Sequence, residues 1–100
     1  MKSQKAANKA KAKSDLVSFT DLAWEDYLYW QDADQKILKA INNLLEECRR
    51  TPFSGSGKPE PLKGNLSGYW SRRITREHRL VYMYEADVLT LIQCRYRYEK

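Results

Sequence analysis

Apolar side chains in the first half of the chain recur at intervals of three and four residues, the spacing that places them on one face of a helix. The strongest stripe consists of Ile37, Leu38, Ile41, Leu44, Leu45 and Cys48. Ala33 or Asp34 is suited to open this helix, and Pro52 ends it because proline cannot continue helical hydrogen bonding. The pattern therefore predicts a helix with one buried face.

A second, shorter helix is predicted on the N-terminal side of the helix that carries this stripe. Thr20 or Asp21 can cap its N-terminus. Its apolar face is predicted to carry Trp24, Tyr27, Leu28 and Gln31, with Glu25 and Asp26 to one side. Residues 17–19, Val-Ser-Phe, precede the cap and have the composition of a short strand.

In the second half of the chain, the spacing of apolar residues changes from that of a helix to that of strands. Glycine and proline predict a connecting loop over residues 52–61. Aromatic and β-branched residues then predict strands at Tyr69–Ile74, Arg79–Tyr84 and Val88–Tyr98, with a tight hairpin turn at residues 85–87. The fold class is therefore α+β: a two-layer β-α-α-β(3-4) domain in which two N-terminal helices pack on a mainly antiparallel sheet. We expect the other face to carry the basic residues, with Arg79 partly sheltered at its rim.

The distribution of charge separates a tail from a single domain. Residues 1–14 carry a net +5, residues 15–50 carry −4 and residues 51–100 carry +4. After Met1 the first segment has no apolar side chain larger than alanine, so it cannot offset the entropy of ordering and is predicted to be a disordered basic tail. The tail is either solvated or an electrostatic tether to nucleic acid. Residues 15–100 are predicted to form one domain.

Other classes of protein find little support in the composition. No stretch approaches the eighteen or so apolar residues of a membrane span, and no apolar run of a signal peptide follows the N-terminal lysines. We therefore expect a cytoplasmic chain with no membrane partner. Cys48 and Cys94 lie far apart and outside any Cys/His cluster, so they are expected to be reduced packing residues. Neither a metal site nor a cofactor is predicted.

One carboxylate is held rigidly in the sequence KPEPLK at positions 58–63. Pro61 denies the preceding Glu60 the helical region, and Pro59 restricts the chain on its other side. A loop built in this way aims its side chain. The alternative is a stiff surface turn with a solvated acid.

Basic and aromatic residues interleave around and after this acid, as in proteins that bind polyanions. They are Lys63, Arg72, Arg73, His78, Arg79, Arg95, Arg97 and Tyr98, with Tyr69, Trp70 and Tyr96. Arginine forks bind phosphate oxygens and aromatic rings stack unpaired bases, which favours single-stranded RNA over duplex DNA. Cleaving RNA without a metal needs a base for the 2′-hydroxyl proton, cations for the phosphorane and an acid for the leaving 5′-oxygen.

Four segments resemble the YoeB/Txe family of bacterial toxins, within the RelE-like superfamily. They are DYLYWQ at 26–31, RRTPF at 49–53, GKPEPLKGNLSGYWSRRITREHRLVY at 57–82 and CRYRY at 94–98. The motifs occur in the family's order and spacing, from about Val17 to Tyr98. The resemblance implies a ribosome-dependent mRNA endonuclease that a YefM-like antitoxin neutralises, with operator DNA bound only through the antitoxin complex. A homodimer is a further expectation.

The resemblance also implies roles for individual residues. The family's general base falls on Glu60, its phosphate-binding arginine on Arg79 and its C-terminal tyrosine on Tyr98. Lys63, Arg72, Arg73 and His78 are candidates to bind RNA.

Position 97 departs from the family, which usually has a histidine there as general acid. Arg97 stays protonated, so it can stabilise charge but is a poor proton donor. Arg97 is either a natural variant that stabilises the transition state, or an introduced change that detoxifies the protein, or a sign that His78 supplies the acid. The second function to consider is therefore a catalytically weakened toxin that still binds antitoxin and ribosome. Duplex DNA binding as the main function is disfavoured, because the helical half carries −4.

Overall fold

The computed structural model describes residues 16–96. The elements in chain order are β1 (Leu16–Phe19), α1 (Asp21–Ala33), α2 (Gln35–Arg50), β2 (Glu60–Pro61), a 3₁₀ turn (Gly64–Leu66), β3 (Trp70–Arg73), β4 (Arg79–Glu85) and β5 (Val88–Gln93). The predicted α+β class, with two helices on a mainly antiparallel sheet, is confirmed. The predicted basic tail at 1–14 and the site residues Arg97 and Tyr98 lie outside the described residues.

The five strands form one sheet in the order β1-β5-β4-β3-β2. β1 pairs parallel to β5, and the other three pairings are antiparallel. Residues paired across neighbouring strands share a face of the sheet. Leu80 and Tyr82 of β4, with Leu89 and Leu91 of β5, join the hydrophobic core with both helices. The alternate residues of the same strands therefore face away from the helices.

The two helices meet at Asp34, which ends the first and caps the second. Thr20 caps α1 by accepting the Ala23 N–H at 3.1 Å, as predicted for one of two candidates. The Asp34 carboxylate accepts the N–H groups of Lys36 at 2.9 Å and Ile37 at 3.2 Å. Such caps satisfy amides that the first helical turn leaves without a partner.

Helix α2 buries the stripe that the sequence predicts. Ile41, Leu44 and Cys48 are in the core, and Ile37, Leu38 and Leu45 pack against it. On helix α1 the predicted face is wrong except at Tyr27, which packs against the core. Its buried residues are Ala23, Asp26 and Trp30, whereas Trp24 and Leu28 are 48% and 43% exposed. The reason is tertiary, since Asp26 and Trp30 hydrogen-bond the segment that follows β5.

Two strand boundaries also differ from the prediction. Glu60 and Pro61, expected in a loop, form an edge strand against β3, where the missing proline N–H costs no interior ladder bond. β5 ends at Gln93 rather than at Tyr98, because the N–H groups of Cys94 and Tyr96 donate to the Asp26 carboxylate and to His78 Nδ1 instead of to a neighbouring strand. The predicted hairpin turn between β4 and β5 is confirmed, with positive φ at Ala86 and Asp87.

The two cysteines are both buried free thiols. Burial raises the pKa of Cys48 to about 11 and that of Cys94 to about 12. Both side chains are therefore protonated packing groups at neutral pH. Over residues 16–96, no helix has the length and apolar character needed to cross a membrane.

Candidate nucleic-acid site

The register of β2, β3 and β4 brings the candidate acid and two arginines to the same face of the sheet. Glu60 pairs with Ser71, Ser71 pairs with Val81, and Arg73 pairs with Arg79. Because these positions alternate with core residues such as Leu80, they lie on the face turned away from the helices. From strand spacing, the Cα atoms of Glu60 and Arg79 are roughly 12 Å apart. The sequence predicted the residue types, and the sheet brings them together.

Glu60 is exposed at the edge of this face, and Lys63 is exposed two residues beyond the end of β2. Residues 60–66 line a cleft of about 480 Å³, in which the apolar side chains of Leu62 and Leu66 accompany the acid and the lysine. Leu62 N–H donates to the Tyr69 carbonyl at 2.9 Å, which extends the β2–β3 pairing past Pro61. The acid therefore stands at the wall of a concave, half-apolar surface, the usual character of a ligand site.

Arg72 lies on the opposite face from Arg73, in the interior. It is fully buried, and its Nη1 forms a salt bridge with Glu47 at 2.7 Å. Nη2 donates to the Thr51 and Ser54 carbonyls at 2.5 and 2.7 Å, and Nη1 also reaches the Ser56 carbonyl at 3.1 Å. The RNA-binding role predicted for Arg72 finds no support in this placement, because the side chain is fully buried on the face of the sheet that packs on the helices.

Arg72 instead organises the chain that leads from α2 to Glu60. Its Nε donates to the Tyr82 hydroxyl at 3.1 Å, and that hydroxyl donates to the Pro52 carbonyl at 2.6 Å. The Ser56 N–H and hydroxyl both donate to Glu47, which lowers the pKa of this carboxyl, with a smaller contribution from Arg72. Burial raises the pKa of Tyr82 to about 12, so it remains a phenol. Sequence reasoning missed this network, although strand alternation separates the two adjacent arginines.

Glycine is required at position 57 in the same connection. The Arg73 N–H donates to the Gly57 carbonyl at 2.7 Å. Gly57 has a φ of +81°, and a Cβ there would lie 3.0 Å from the Arg73 carbonyl oxygen and 3.1 Å from the Arg72 Cβ. Glycine avoids both the backbone strain of this positive φ and the tight contacts that a Cβ would make. The loop is thus docked on β3 just before it delivers Glu60.

Arg79 begins β4 and is held against the turn before it. The residue is only 8% exposed, more deeply buried than the partial shelter that the sequence predicted. Its Nη1 donates to the carbonyls of Thr75, Arg76 and His78 at 2.8, 3.2 and 3.1 Å. The guanidinium is therefore fixed in orientation before any ligand arrives, which is the condition for electrostatic stabilisation without reorganisation.

His78 is half-buried beside the rings of Trp30 and Tyr96. Its ring packs edge-on against Trp30 at 4.7 Å and lies 5.4 Å from the ring of Tyr96. Nδ1 accepts the Tyr96 N–H at 2.7 Å. Burial is the main cause that lowers the pKa of His78, so the neutral form is favoured.

Among residues 16–96, no three His, Cys, Asp or Glu side chains are arranged to hold a metal ion. Glu60 and Arg73 are exposed on this face, Glu85 is exposed at the other end of β4, and Lys63 is exposed just beyond the end of β2. Arg79 stands behind them in a nearly buried position.

Comparison with known proteins identifies the family. The model of the YoeB-like toxin of bacterial type II toxin–antitoxin systems matches residues 19–98. Toxin YoeB of Escherichia coli K12 is 60% identical over 80 residues, which cover 80% of this chain and 95% of that protein.

Solved structures agree in fold and sequence. The YoeB/ParE toxin from Agrobacterium tumefaciens aligns with a TM-score of 0.82 and 49% identity, over 84% of this chain and 100% of that chain. A chain of the YoeB–YefM complex from Staphylococcus aureus aligns with a TM-score of 0.78 and 45% identity, over 85% of this chain and 100% of that chain. The family match, the identity and the shared fold together establish that the chain belongs to the YoeB-like toxins of bacterial type II toxin–antitoxin systems.

Proposed function

We propose that this toxin is an endoribonuclease that cleaves mRNA on the ribosome, without a metal, by attack of an RNA 2′-hydroxyl on the adjacent phosphate. The observation that carries the proposal is the sheet register, which brings Glu60, Arg73 and Arg79 to one face. An acid and fixed cations on a common surface are the groups that this reaction needs.

Each residue has one step in the proposed reaction. Glu60 takes the proton of the 2′-hydroxyl as the 2′-oxygen attacks phosphorus. Arg79, with Arg73 nearby, stabilises the charge on the phosphorane. Lys63 binds the RNA backbone beside the cleft. The bond from phosphorus to the 5′-oxygen then breaks, and the leaving 5′-oxygen takes up a proton from Tyr98, His78 or a ribosomal group.

The exposure of the site supports the dependence on a ribosome. Glu60 stands exposed on the edge strand β2, and Lys63 is exposed just beyond the end of that strand, which leaves the site open to a large partner. A protein that does not enclose its substrate gains little from its own binding groups in orienting it. The ribosome would supply this orientation by holding the mRNA in an extended form.

The nature of the RNA ends tests the proposed chemistry. We expect purified protein to cut mRNA on translating ribosomes and to leave a 5′-hydroxyl with a 2′,3′-cyclic phosphate or 3′-phosphate. Labelling the ends with and without prior phosphatase treatment distinguishes the products. Recovery of 5′-phosphate and 3′-hydroxyl ends would rule the mechanism out.

The second candidate function is a weakened toxin that retains its partners, and Arg97 separates it from the first. If the site works best with a proton donor at this position, Arg97→His raises the single-turnover rate and adds a titration at about pH 6 to 7. Arg97→Ala is then slower than the parent, since it loses the guanidinium's charge. The pH profile of single-turnover cleavage by the three proteins measures both effects.

A parent that cleaves faster than Arg97→His would contradict the hypothesis of a weakened toxin. If Arg97→His is slower than the parent and Arg97→Ala slower still, the arginine belongs to a working site and Tyr98, His78 or a ribosomal group delivers the proton. Equal rates for all three proteins would remove position 97 from the chemistry.

We further propose a YefM-like antitoxin as the direct protein partner. The Staphylococcus aureus relative at 45% identity was solved in a complex with YefM, which supports this pairing. Operator DNA would be bound through that complex, and the toxin would act in the bacterial cytoplasm, where mRNA is translated. Homodimer formation stays a prediction.

A further inference from the structure

After β5, side chains take up the N–H groups of Cys94 and Tyr96. The Cys94 N–H donates to the Asp26 carboxylate at 3.1 Å, and the Trp30 indole donates to the Cys94 carbonyl at 2.9 Å. Asp26 and Trp30 both project from α1. Helix α1 thus fixes the point at which the chain leaves the hydrogen-bonded pairing of β5 with β4.

Tyr96 is fixed in turn by His78, which precedes β4, and by Arg79, the first residue of β4. Its N–H donates to His78 Nδ1 at 2.7 Å, and its carbonyl accepts the Arg79 N–H at 3.0 Å. Tyr96 has a φ of +62°, a left-handed conformation that is unfavourable for a residue with a Cβ. Such a conformation persists where the surroundings hold it, and here both backbone polar groups are held.

The hydrogen bond defines the protonation state of His78. An imidazole nitrogen that accepts an N–H carries no proton, so the proton of the neutral ring is on Nε2. The charged groups around the ring are Asp26 from α1, Glu77 and Arg79 from its own segment, and Arg95 after β5. The two acids and the two arginines act in opposite directions on the ring's pKa, and burial tips it toward the neutral form.

We propose that His78 is a positioning residue, whose neutral imidazole holds the Tyr96 amide and so fixes the backbone of Tyr96 beside Arg79, immediately before Arg97 and Tyr98 in the chain. This assignment replaces a role as proton donor or RNA contact. It rests on the proposed function in so far as Arg97 and Tyr98 act on RNA. The hydrogen bond itself does not depend on that function.

Protonation of His78 opens this contact. An N–H at Nδ1 would face the Tyr96 N–H, which turns an attraction into a repulsion. Because the folded state lowers the pKa, the contact's contribution to stability is complete above the unfolded value of about 6.5. It is lost as the pH falls below that value toward the folded pKa.

The tautomer and the Tyr96 amide test the contact directly. The chain contains one histidine, so its ring nitrogens give a single set of signals in long-range ¹H–¹⁵N spectra. We expect the Nε2–H tautomer at pH 7 and a titration midpoint below about 6.5. A proton on Nδ1 at pH 7 would overturn the proposal.

Two substitutions then distinguish the effect of the hydrogen-bond acceptor from the effect of the titrating imidazole ring. His78→Asn offers an oxygen near the position of Nδ1 and does not titrate, whereas His78→Ala has no acceptor. We expect hydrogen exchange at the Tyr96 amide to accelerate about fivefold or more in His78→Ala, as for the loss of one neutral hydrogen bond. His78→Asn should retain more protection and lose the dependence on pH between 5 and 7. Equal exchange in the parent and both variants would overturn the contact.

Single-turnover cleavage on ribosomes tests the consequence. His78→Ala should lower the rate at saturating ribosomes and leave ribosome affinity unchanged, with His78→Asn intermediate. Exchange at the Leu80 amide reports whether the core stays folded, and Lys39→Ala, an exposed change on α2, should match the parent. A His78→Ala variant that cuts at the parent rate would overturn the positioning role. A parent that cuts no RNA would refute the proposed function, while the tautomer and exchange measurements would still decide the contact.

Discussion

Replacing Glu60 by glutamine is expected to slow single-turnover cleavage of ribosome-bound mRNA by about a hundredfold to ten-thousandfold, the usual cost of losing a general base. Glutamine keeps the size and the edge-strand backbone of Glu60 but cannot accept the 2′-hydroxyl proton. Because the lost interaction belongs to the transition state, ribosome affinity should change little. Rapid-quench measurement of the cleavage rate at saturating ribosomes gives the effect.

Glu85→Gln is a matched control for this experiment. Glu85 is an exposed acid at the far end of β4, and it alternates onto the same face as Arg79. Its substitution removes the same charge without touching the cleft beside β2. If Glu60→Gln cuts at the parent rate, or if both variants slow equally, Glu60 is a solvated edge acid and not the base.

The second large effect is expected in stability. Arg72→Ala should lower the free energy of unfolding by about 2 to 4 kcal/mol, because it removes a fully buried side chain and leaves the Tyr82 hydroxyl and several backbone carbonyls without a donor. The substitution leaves Glu47, the Tyr82 hydroxyl and the carbonyls of residues 51–56 without their common donor. Urea unfolding followed by tryptophan fluorescence measures the difference.

Arg73→Ala provides the comparison, since Arg73 is the next residue and is exposed on the other face. We expect it to change the free energy of unfolding by no more than about 0.5 kcal/mol, as for surface substitutions, while weakening the binding of ribosomes. If Arg72→Ala unfolds no more readily than Arg73→Ala, the buried network adds nothing net to stability. A loss of ribosome binding in Arg72→Ala with the fold intact would return Arg72 to the RNA-binding surface.

The consequence of the Arg72 network reaches the proposed site through the chain. Residues 51–57 are tied to Arg72 and docked on β3 at Gly57, three residues before Glu60. The interior thus orients an exposed acid that has few contacts of its own. A guanidinium suits this task better than an ammonium, because its planar fork can donate to several carbonyls at once.

Patterns carried by many residues predict structure well here. The stripe on α2 repeats over several turns, so its buried face follows from the spacing alone. Turn chemistry marks the boundaries of the helices and the hairpin between β4 and β5, as Thr20, Asp34 and Ala86 illustrate. Resemblance in ordered motifs identified the family, which the comparison confirms.

Short or mixed patterns left the decision to tertiary contacts. Helix α1 has aromatic and apolar residues around much of its circumference, so the spacing of Trp24 and Leu28 fits a buried face as well as that of Ala23 and Trp30. The segment after β5 determines which face of α1 is buried, because its backbone groups need the Asp26 carboxylate and the Trp30 indole as partners. A buried polar group without a partner costs more than an exposed tryptophan.

The sequence by itself determined the fold class, the buried stripe of α2 and the residue types of the proposed site, since periodicity, capping and motif order are local properties of the chain. The tertiary structure decided which of two adjacent arginines is buried, where β5 ends and which acid shares a face with Arg79. Those outcomes depend on strand register and on hydrogen bonds between residues up to 68 positions apart. A local pattern cannot specify such partners, because the free energy of burying or bonding a side chain depends on the groups that the fold brings beside it.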